Sequence, residues 1–221
     1  MQRRAVSRQE VAFLVGVPLA WAVLLLFHPT GGGDKISYAE LQDKVTPWLV
    51  VHIGMMVFVP LMAVAIYLLL RGVEGTAARV GRIALAPFVI FYTAWEVLLG
   101  IGTGVLVDNV NRLPAAERAT GAALVDEFTD NVLVRDLGVF ASIGGVGLIT
   151  AAIAAGVALR RQVGAPLMVA VLLGLSGFLI NAHPPPYGPI GLALFIAAIL
   201  LFVRSQSAAR TPTPQQQPSS A

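Results

Sequence analysis

The 221-residue sequence contains no cysteine, only two lysines and a charged fraction of 12%. Without cysteine the chain cannot form a disulfide, a thiolate metal site or a cysteine nucleophile. The charged fraction is about half of that in a soluble globular domain. Hydrophobic residues make up 57% of the chain instead. This composition indicates that lipid, rather than water, surrounds most of the protein.

The basic residues of the chain do not predict a nucleic-acid partner. The sequence has 13 arginines and a formal net charge of +3, but the positive charges are scattered between apolar runs and form no continuous patch. We therefore predict membrane lipid as the partner and no nucleic acid. The preference for arginine over lysine, with abundant alanine, glycine and valine, is typical of GC-rich bacterial genomes and favours a bacterial inner (plasma) membrane location.

Apolar runs predict an all-α, polytopic transmembrane helix bundle. A membrane-spanning helix needs about 20 mostly apolar residues, and in lipid a span must be helical because a lone strand leaves its backbone groups unpaired. We predict six spans in one domain over 1–204, at approximately 11–27, 48–70, 83–107, 132–159, 166–180 and 189–203. The remaining residues, 205–221, are predicted to be a disordered cytoplasmic tail because they have nothing apolar to bury.

Arginine and lysine at the span ends predict that both termini face the cytoplasm. Cytoplasmic loops carry an excess of these residues, and this N-in/C-in arrangement places ten of them inside and five outside. The first 22 residues, with a basic start and an Ala20-x-Ala22 pattern, could also be a cleaved signal peptide. We favour an uncleaved first helix because the apolar run continues past that site.

Small residues in the fourth span predict close helix packing. Ala141 and Gly145, and Ala152 and Gly156, are each four residues apart and lie on one helix face. Such spacing lets helix backbones approach closely in lipid. Packing inside the bundle is the simpler interpretation, and a homo-oligomer or a partner membrane subunit at this face is the alternative.

Glu96 lies near the middle of the third span. A carboxylate at that depth costs roughly 2.5 kcal/mol or more on insertion, so it should face the bundle interior. Tyr92 and Thr103 share its side of the helix, and Asn181 ends the fifth span. We predict Tyr92, Glu96 and Asn181 as ligand-binding residues and Glu96 as a candidate catalytic residue. A purely structural, protonated glutamate is the alternative.

The predicted topology places all three histidines towards the outer side. His28 follows the first span, His52 lies one turn into the second, and His183 follows the fifth within the stretch NAHPPPYGPIG. Three histidines with an open fourth position form a catalytic zinc arrangement, and two facing histidines can hold a haem iron. We predict His28, His52 and His183 as metal ligands, with a transition metal or haem as cofactor. Glu96 should lie about 10 Å deeper than His52 at 1.5 Å per helical residue.

Three short motifs carry a resemblance to a known group of proteins. LLFHP closes the first span, Trp48 and His52 open the second as W-x-x-x-H, and Glu96 is the acidic residue of the third. This pattern resembles a group of uncharacterised bacterial six-span integral membrane proteins of unknown function, and the resemblance implies architecture alone. The AWE of the third span is also similar to the acidic span of transmembrane terpene cyclases, but these have a second membrane carboxylate and spans five and six here contain none.

Three functional hypotheses follow from these patterns. The first is an outward-facing pocket, bordered by His28, His52 and His183 and with Glu96 at its base, that binds a metal, haem or a small polar or lipid ligand. The second is a small proton-coupled transporter that uses Glu96 at midplane depth. The third is a non-catalytic accessory membrane subunit.

Overall fold

The computed structural model describes residues 6–29 and 36–208. This part of the chain folds into eight helices: α1 (Arg8–Leu25), α2 (Tyr38–Leu41), α3 (Val45–Leu70), α4 (Thr76–Asn111), α5 (Ala115–Thr129), α6 (Val139–Val163), α7 (Leu167–Asn181) and α8 (Tyr187–Ala208). The predicted all-α class is confirmed. The tail was predicted to start at 205, but α8 continues to Ala208, and the rest of that tail (209–221) lies outside the described residues.

Five of these helices, α1, α3, α4, α6 and α8, are long and apolar enough to cross a membrane. The protein is therefore a multi-pass membrane protein. Helix α7 has only 15 residues, which gives it a length of about 22 Å against a hydrocarbon thickness of about 30 Å. The sixth crossing and the orientation of the bundle stay predictions.

The predicted start of the fourth span was wrong. Helix α6 begins at Val139 rather than at 132, and the preceding residues form turns. The Asn131 side chain accepts a hydrogen bond from the Leu133 N–H at 2.9 Å, and the Val139 N–H donates to the Val132 carbonyl at 2.9 Å. These bonds satisfy the backbone locally, so the apolar residues there do not need to be helical.

Helix α4 is longer than the predicted third span and contains two stretches of π-type winding, Phe88–Tyr92 and Glu96–Gly102. Such turns are rare and are found frequently at functional sites. The helix ends at Asn111, whose side-chain amide donates to the Gln42 carbonyl at 2.8 Å. This contact places the end of α4 at the level of α2.

Glycines of α6 bring neighbouring helices into close contact. A Cβ on Gly147 would lie 2.6 Å from the Phe88 nitrogen, and one on Gly156 would lie 2.7 Å from Ala170 Cα. Gly145 faces the Asn181 side chain of α7. Neighbouring helices of the same chain thus pack against these glycines of α6. Oligomerisation through this helix stays a prediction.

Helices α2 and α5 form a cap over one end of the bundle. The Tyr38 N–H donates to the Asp126 carboxylate at 2.8 Å, and the Thr129 hydroxyl donates to the Ile36 carbonyl at 2.8 Å. A small apolar core lies beneath these bonds and comprises Leu41, Trp48, Val107, Val110 and Val125. At the opposite end of the bundle, Arg71 pairs with Glu10.

Candidate metal centre

The structure brings the three histidines together at the capped end of the bundle. The ring centroids of His28 and His52 are 5.0 Å apart, those of His28 and His183 are 5.0 Å apart, and those of His52 and His183 are 6.0 Å apart. All three side chains are buried. One ligand atom from each histidine lies within 4.8 Å of the others, so this cluster could hold a metal ion.

Backbone carbonyls orient two of the rings. The carbonyl oxygen of Pro29 lies 2.9 Å from Nδ1 of His28, and that of Trp48 lies 2.7 Å from Nδ1 of His52. Since a carbonyl can only accept, each Nδ1 carries the proton and each Nε2 presents its lone pair. The Nε2 of His28 is buried and has no hydrogen-bond partner. A carbonyl that accepts a hydrogen bond from Nδ1 fixes the ring of a metal-binding histidine and leaves Nε2 for the metal.

Burial keeps the histidines at the helix ends neutral. Desolvation lowers the pKa of His28 to about 4, although the hydrogen bond with Pro29 acts in the opposite direction. Desolvation, and then the neighbouring His28 and His52, lower the pKa of His183 well below its usual value. Neutral imidazole is the form that binds a metal ion, so both side chains are ready to coordinate near pH 7.

The connection between α7 and α8 positions His183. Helix α7 ends at Asn181, two residues before His183, because Pro184 disfavours helical geometry in the residue that precedes it. The Tyr92 hydroxyl lies 3.5 Å from Nδ1 of His183 and 3.4 Å from the Asn181 carbonyl oxygen. The Tyr92 hydroxyl therefore helps to fix the position of the His183 ring.

Glu96 lies beside the histidines, so the prediction that it is about 10 Å deeper than His52 was wrong. Its Oε2 is 3.9 Å from Nε2 of His52, its side chain is 1% exposed, and neither carboxylate oxygen has a hydrogen-bond partner. The predicted depth assumed that the outer ends of the second and third spans are level. In the structure α4 extends to Asn111 at the cap, and Trp48 Nε1–H donates to the Gly100 carbonyl at 2.6 Å, which sets the register of the two helices.

The cluster opens into a cavity of about 600 Å³. Of the three residues predicted to bind a ligand, Glu96 and Asn181 line this cavity and Tyr92 does not. Aromatic and aliphatic residues form much of the remaining wall, and they include Leu41, Trp48, Trp95 and Leu99.

Asp136 also lines the cavity and was not among the predicted site residues. Residue 136 is exposed at the surface, but neighbouring atoms still remove part of the water around its carboxyl group, and this desolvation raises its pKa. The sequence signal was obscured because the predicted fourth span, 132–159, included this position. The turns that precede Val139 bring Asp136 to the cavity.

No protein-family model, curated protein or solved structure matches this chain. The resemblance to six-span bacterial membrane proteins therefore stays a prediction, and the functional argument depends on the site itself.

Proposed function

We propose that His28, His52 and His183 bind one divalent transition-metal ion and that the protein is a membrane-embedded metal-dependent hydrolase. The observation that carries this proposal is the convergence of three buried imidazoles whose ligand atoms lie within 4.8 Å of one another. A buried nitrogen without a partner, Nε2 of His28, costs free energy that a metal ion would recover.

Zinc suits this donor set best. Three histidines with an open fourth position form a known type of catalytic zinc site, with Zn–N bonds of about 2.0–2.1 Å. Two nitrogens on one tetrahedral zinc ion are about 3.3 Å apart, so small rotations of the rings complete the site from separations of at most 4.8 Å. Haem is disfavoured because the rings of His28 and His52 contact each other and leave no gap for a macrocycle.

The position of Glu96 supports water activation at the fourth coordination position. Its unpartnered carboxylate lies next to His52 and on the wall of the cavity. A metal-bound water in the cavity would donate a hydrogen bond to this carboxylate, which accepts the proton when the water oxygen attacks a carbonyl carbon. Zinc sites with a nearby carboxylate use this chemistry for hydrolysis.

The metal content of the purified protein tests the proposal. We expect about one zinc ion per chain in the wild type and a metal-free protein after His28→Ala, His52→Ala and His183→Ala are combined. The matched control is Glu96→Gln, which keeps the three ligands and should keep the metal. Thermal unfolding shows whether each variant is folded. A folded wild type that binds zinc no more tightly than the triple variant would refute the site.

We also propose six crossings with both termini inside a bacterial inner membrane. Helix α7 starts four residues after α6 ends, and its last residue, Asn181, faces Gly145 near the start of α6. Helix α7 therefore runs back along most of α6, which supports a crossing despite its length. Arg71 and Glu10 place the start of α1 and the end of α3 at the end of the bundle opposite the cap, which we assign to the cytoplasm.

Single cysteines in this cysteine-free chain test the orientation. Ser207→Cys, on α8, should react with a membrane-impermeant maleimide only after cells are opened, whereas Ala116→Cys, on α5, should react in intact cells. Both positions are exposed. Labelling of Ser207→Cys from outside would contradict the proposed orientation.

A further inference from the structure

The walls of the cavity beside the histidines are of two kinds. The histidines and Glu96 form a polar base, while Leu41, Trp48, Trp95 and Leu99 are apolar or aromatic and buried. Its volume of about 600 Å³ falls in the roughly 300–1,000 Å³ range of small-molecule sites. A ligand that fills it needs an apolar body and one polar group that reaches the base.

Exposed apolar and aromatic side chains lie at the mouth of the cavity, beside the exposed Asp136. Leu137 is 82% exposed and Tyr187 is 56% exposed, although both line the cavity. Leu137 has φ 56°, a backbone conformation that is costly for a leucine and is found at functional sites. Phe27, adjacent in sequence to His28, is 68% exposed at the end of the lipid-spanning helix α1. Exposed apolar side chains thus occur both in the cavity lining and next to its residue His28, and this supports entry of an apolar chain from lipid.

The charges of the cavity restrict the polar group of the ligand. The lining residues that the structure describes include the carboxylates Glu40, Glu96 and Asp136. No lysine or arginine is among these described lining residues. Phosphate groups are bound in proteins by arginine, lysine or clustered backbone N–H groups. In the metal-free protein the acidic lining therefore disfavours a phosphate headgroup and favours an uncharged one.

We infer that the cavity binds an uncharged single-chain acyl lipid taken from the membrane, with the acyl carbonyl at the histidine cluster. The hydrolytic step rests on the proposed function. In it the oxygen of the metal-bound water bonds to the ester carbonyl carbon, and the bond from that carbon to the alcohol oxygen breaks. Glu96 takes a proton from the water and passes it to the leaving oxygen, so the products are a fatty acid and an alcohol.

Tryptophan fluorescence tests the binding step without any dependence on metal. The chain has three tryptophans, and Trp21→Phe leaves Trp48 and Trp95, which both line the cavity. We expect a monoacylglycerol with a brominated chain to quench this variant saturably in detergent. The lysophosphatidate with the same brominated chain should bind at least about tenfold more weakly. Equal quenching by the two lipids, or none by either, would overturn the inference.

A substitution at the mouth provides a matched pair. In the Trp21→Phe background, Leu137→Glu should weaken monoacylglycerol binding about tenfold by removing apolar contact. Leu124→Glu, at a position on α5 that is also exposed (62%), should not weaken it. Both substitutions are at exposed positions, so the fold should survive them. Identical binding by these two variants would contradict entry at this mouth.

The outcomes for the inference and for the proposed function are separate. Saturable quenching in a protein that binds no zinc would support the lipid site and refute the metal-dependent hydrolase. Zinc binding without quenching would support the metal centre and refute the lipid site. Release of fatty acid from the monoacylglycerol by the zinc-loaded wild type, and not by the metal-free protein, would support both the metal-dependent hydrolase and the lipid site.

Discussion

Replacing Gly100 by alanine should displace the His52 ring and weaken metal binding. Gly100 lies on α4 directly opposite His52, and an added Cβ would lie 2.5 Å from Cγ and 2.8 Å from Cβ of that histidine. Carbon atoms at contact are about 3.5–4.0 Å apart, so one of the two groups must move by about 1 Å. The Trp48 hydrogen bond to the Gly100 carbonyl holds α4 in place, and the His52 ring is therefore the part that moves.

The close contacts at Gly100 allow the loss of stability and of zinc affinity to be estimated. Overpacking of a well-packed site costs about 1–3 kcal/mol of stability. The displaced ring also loses its alignment with the Trp48 carbonyl, which is 2.7 Å from Nδ1 in the wild type. Loss of the hydrogen bond that orients a metal-binding histidine lowers metal affinity by about 10–100-fold. We expect a decrease in zinc affinity in this range.

Competition for zinc against a chromophoric chelator measures the affinity, with the protein in detergent. Gly102→Ala is the matched control, because the same substitution in the same π-type stretch places the Cβ 3.4 Å from the Val97 carbonyl oxygen and 3.6 Å from Phe128. It should bind zinc as tightly as the wild type does. Wild-type affinity in Gly100→Ala, or an equal loss in Gly102→Ala, would refute the assigned role of His52.

Three further outcomes follow from the structure. Glu96→Gln should keep zinc but reduce hydrolysis by about 10²–10⁴-fold, because the base is lost; unchanged turnover would remove Glu96 from the mechanism. Gly147→Ala should destabilise the protein by about 1–3 kcal/mol in thermal unfolding, since its Cβ would meet the Phe88 nitrogen at 2.6 Å, whereas Gly16→Ala, with no atom within 4 Å, should not. The metal-free protein should lose stability between pH 7 and pH 5. The unfolded His28 takes up a proton below its ordinary pKa of 6.5, while folding lowers that pKa to about 4. The loss attributable to His28 is on the order of 2 kcal/mol, and His28→Ala should reduce the pH dependence in urea unfolding; an unchanged pH dependence would contradict this.

The long helices could be read from the sequence because their cause is local. A run of apolar residues in lipid must satisfy its own backbone groups, and only a helix does this within one segment. Five of the predicted spans correspond to the long apolar helices for this reason. The ends were less predictable, as at 132–138, where hydrogen bonds to the Asn131 side chain and to the Val132 carbonyl stabilise turns instead of a helix.

The choice of candidate residues was also within reach of the sequence. The chain offers only three histidines, and Glu96 is the acidic residue that lies near the middle of a predicted span. Ionisable groups in such positions are costly unless they have a role. Residue type and approximate depth were therefore enough to select His28, His52, His183 and Glu96 as candidates.

What the sequence determined by itself is thus the helical membrane class and the set of residues capable of metal chemistry, since both depend on composition and local hydropathy. Only the tertiary structure decided that the histidines converge, that Glu96 joins them and that Asp136 lines the same cavity. These depend on the register between helices. Contacts between distant residues set that register, such as the one from Trp48 to Gly100, and no local pattern encodes the relative height of two neighbouring helices.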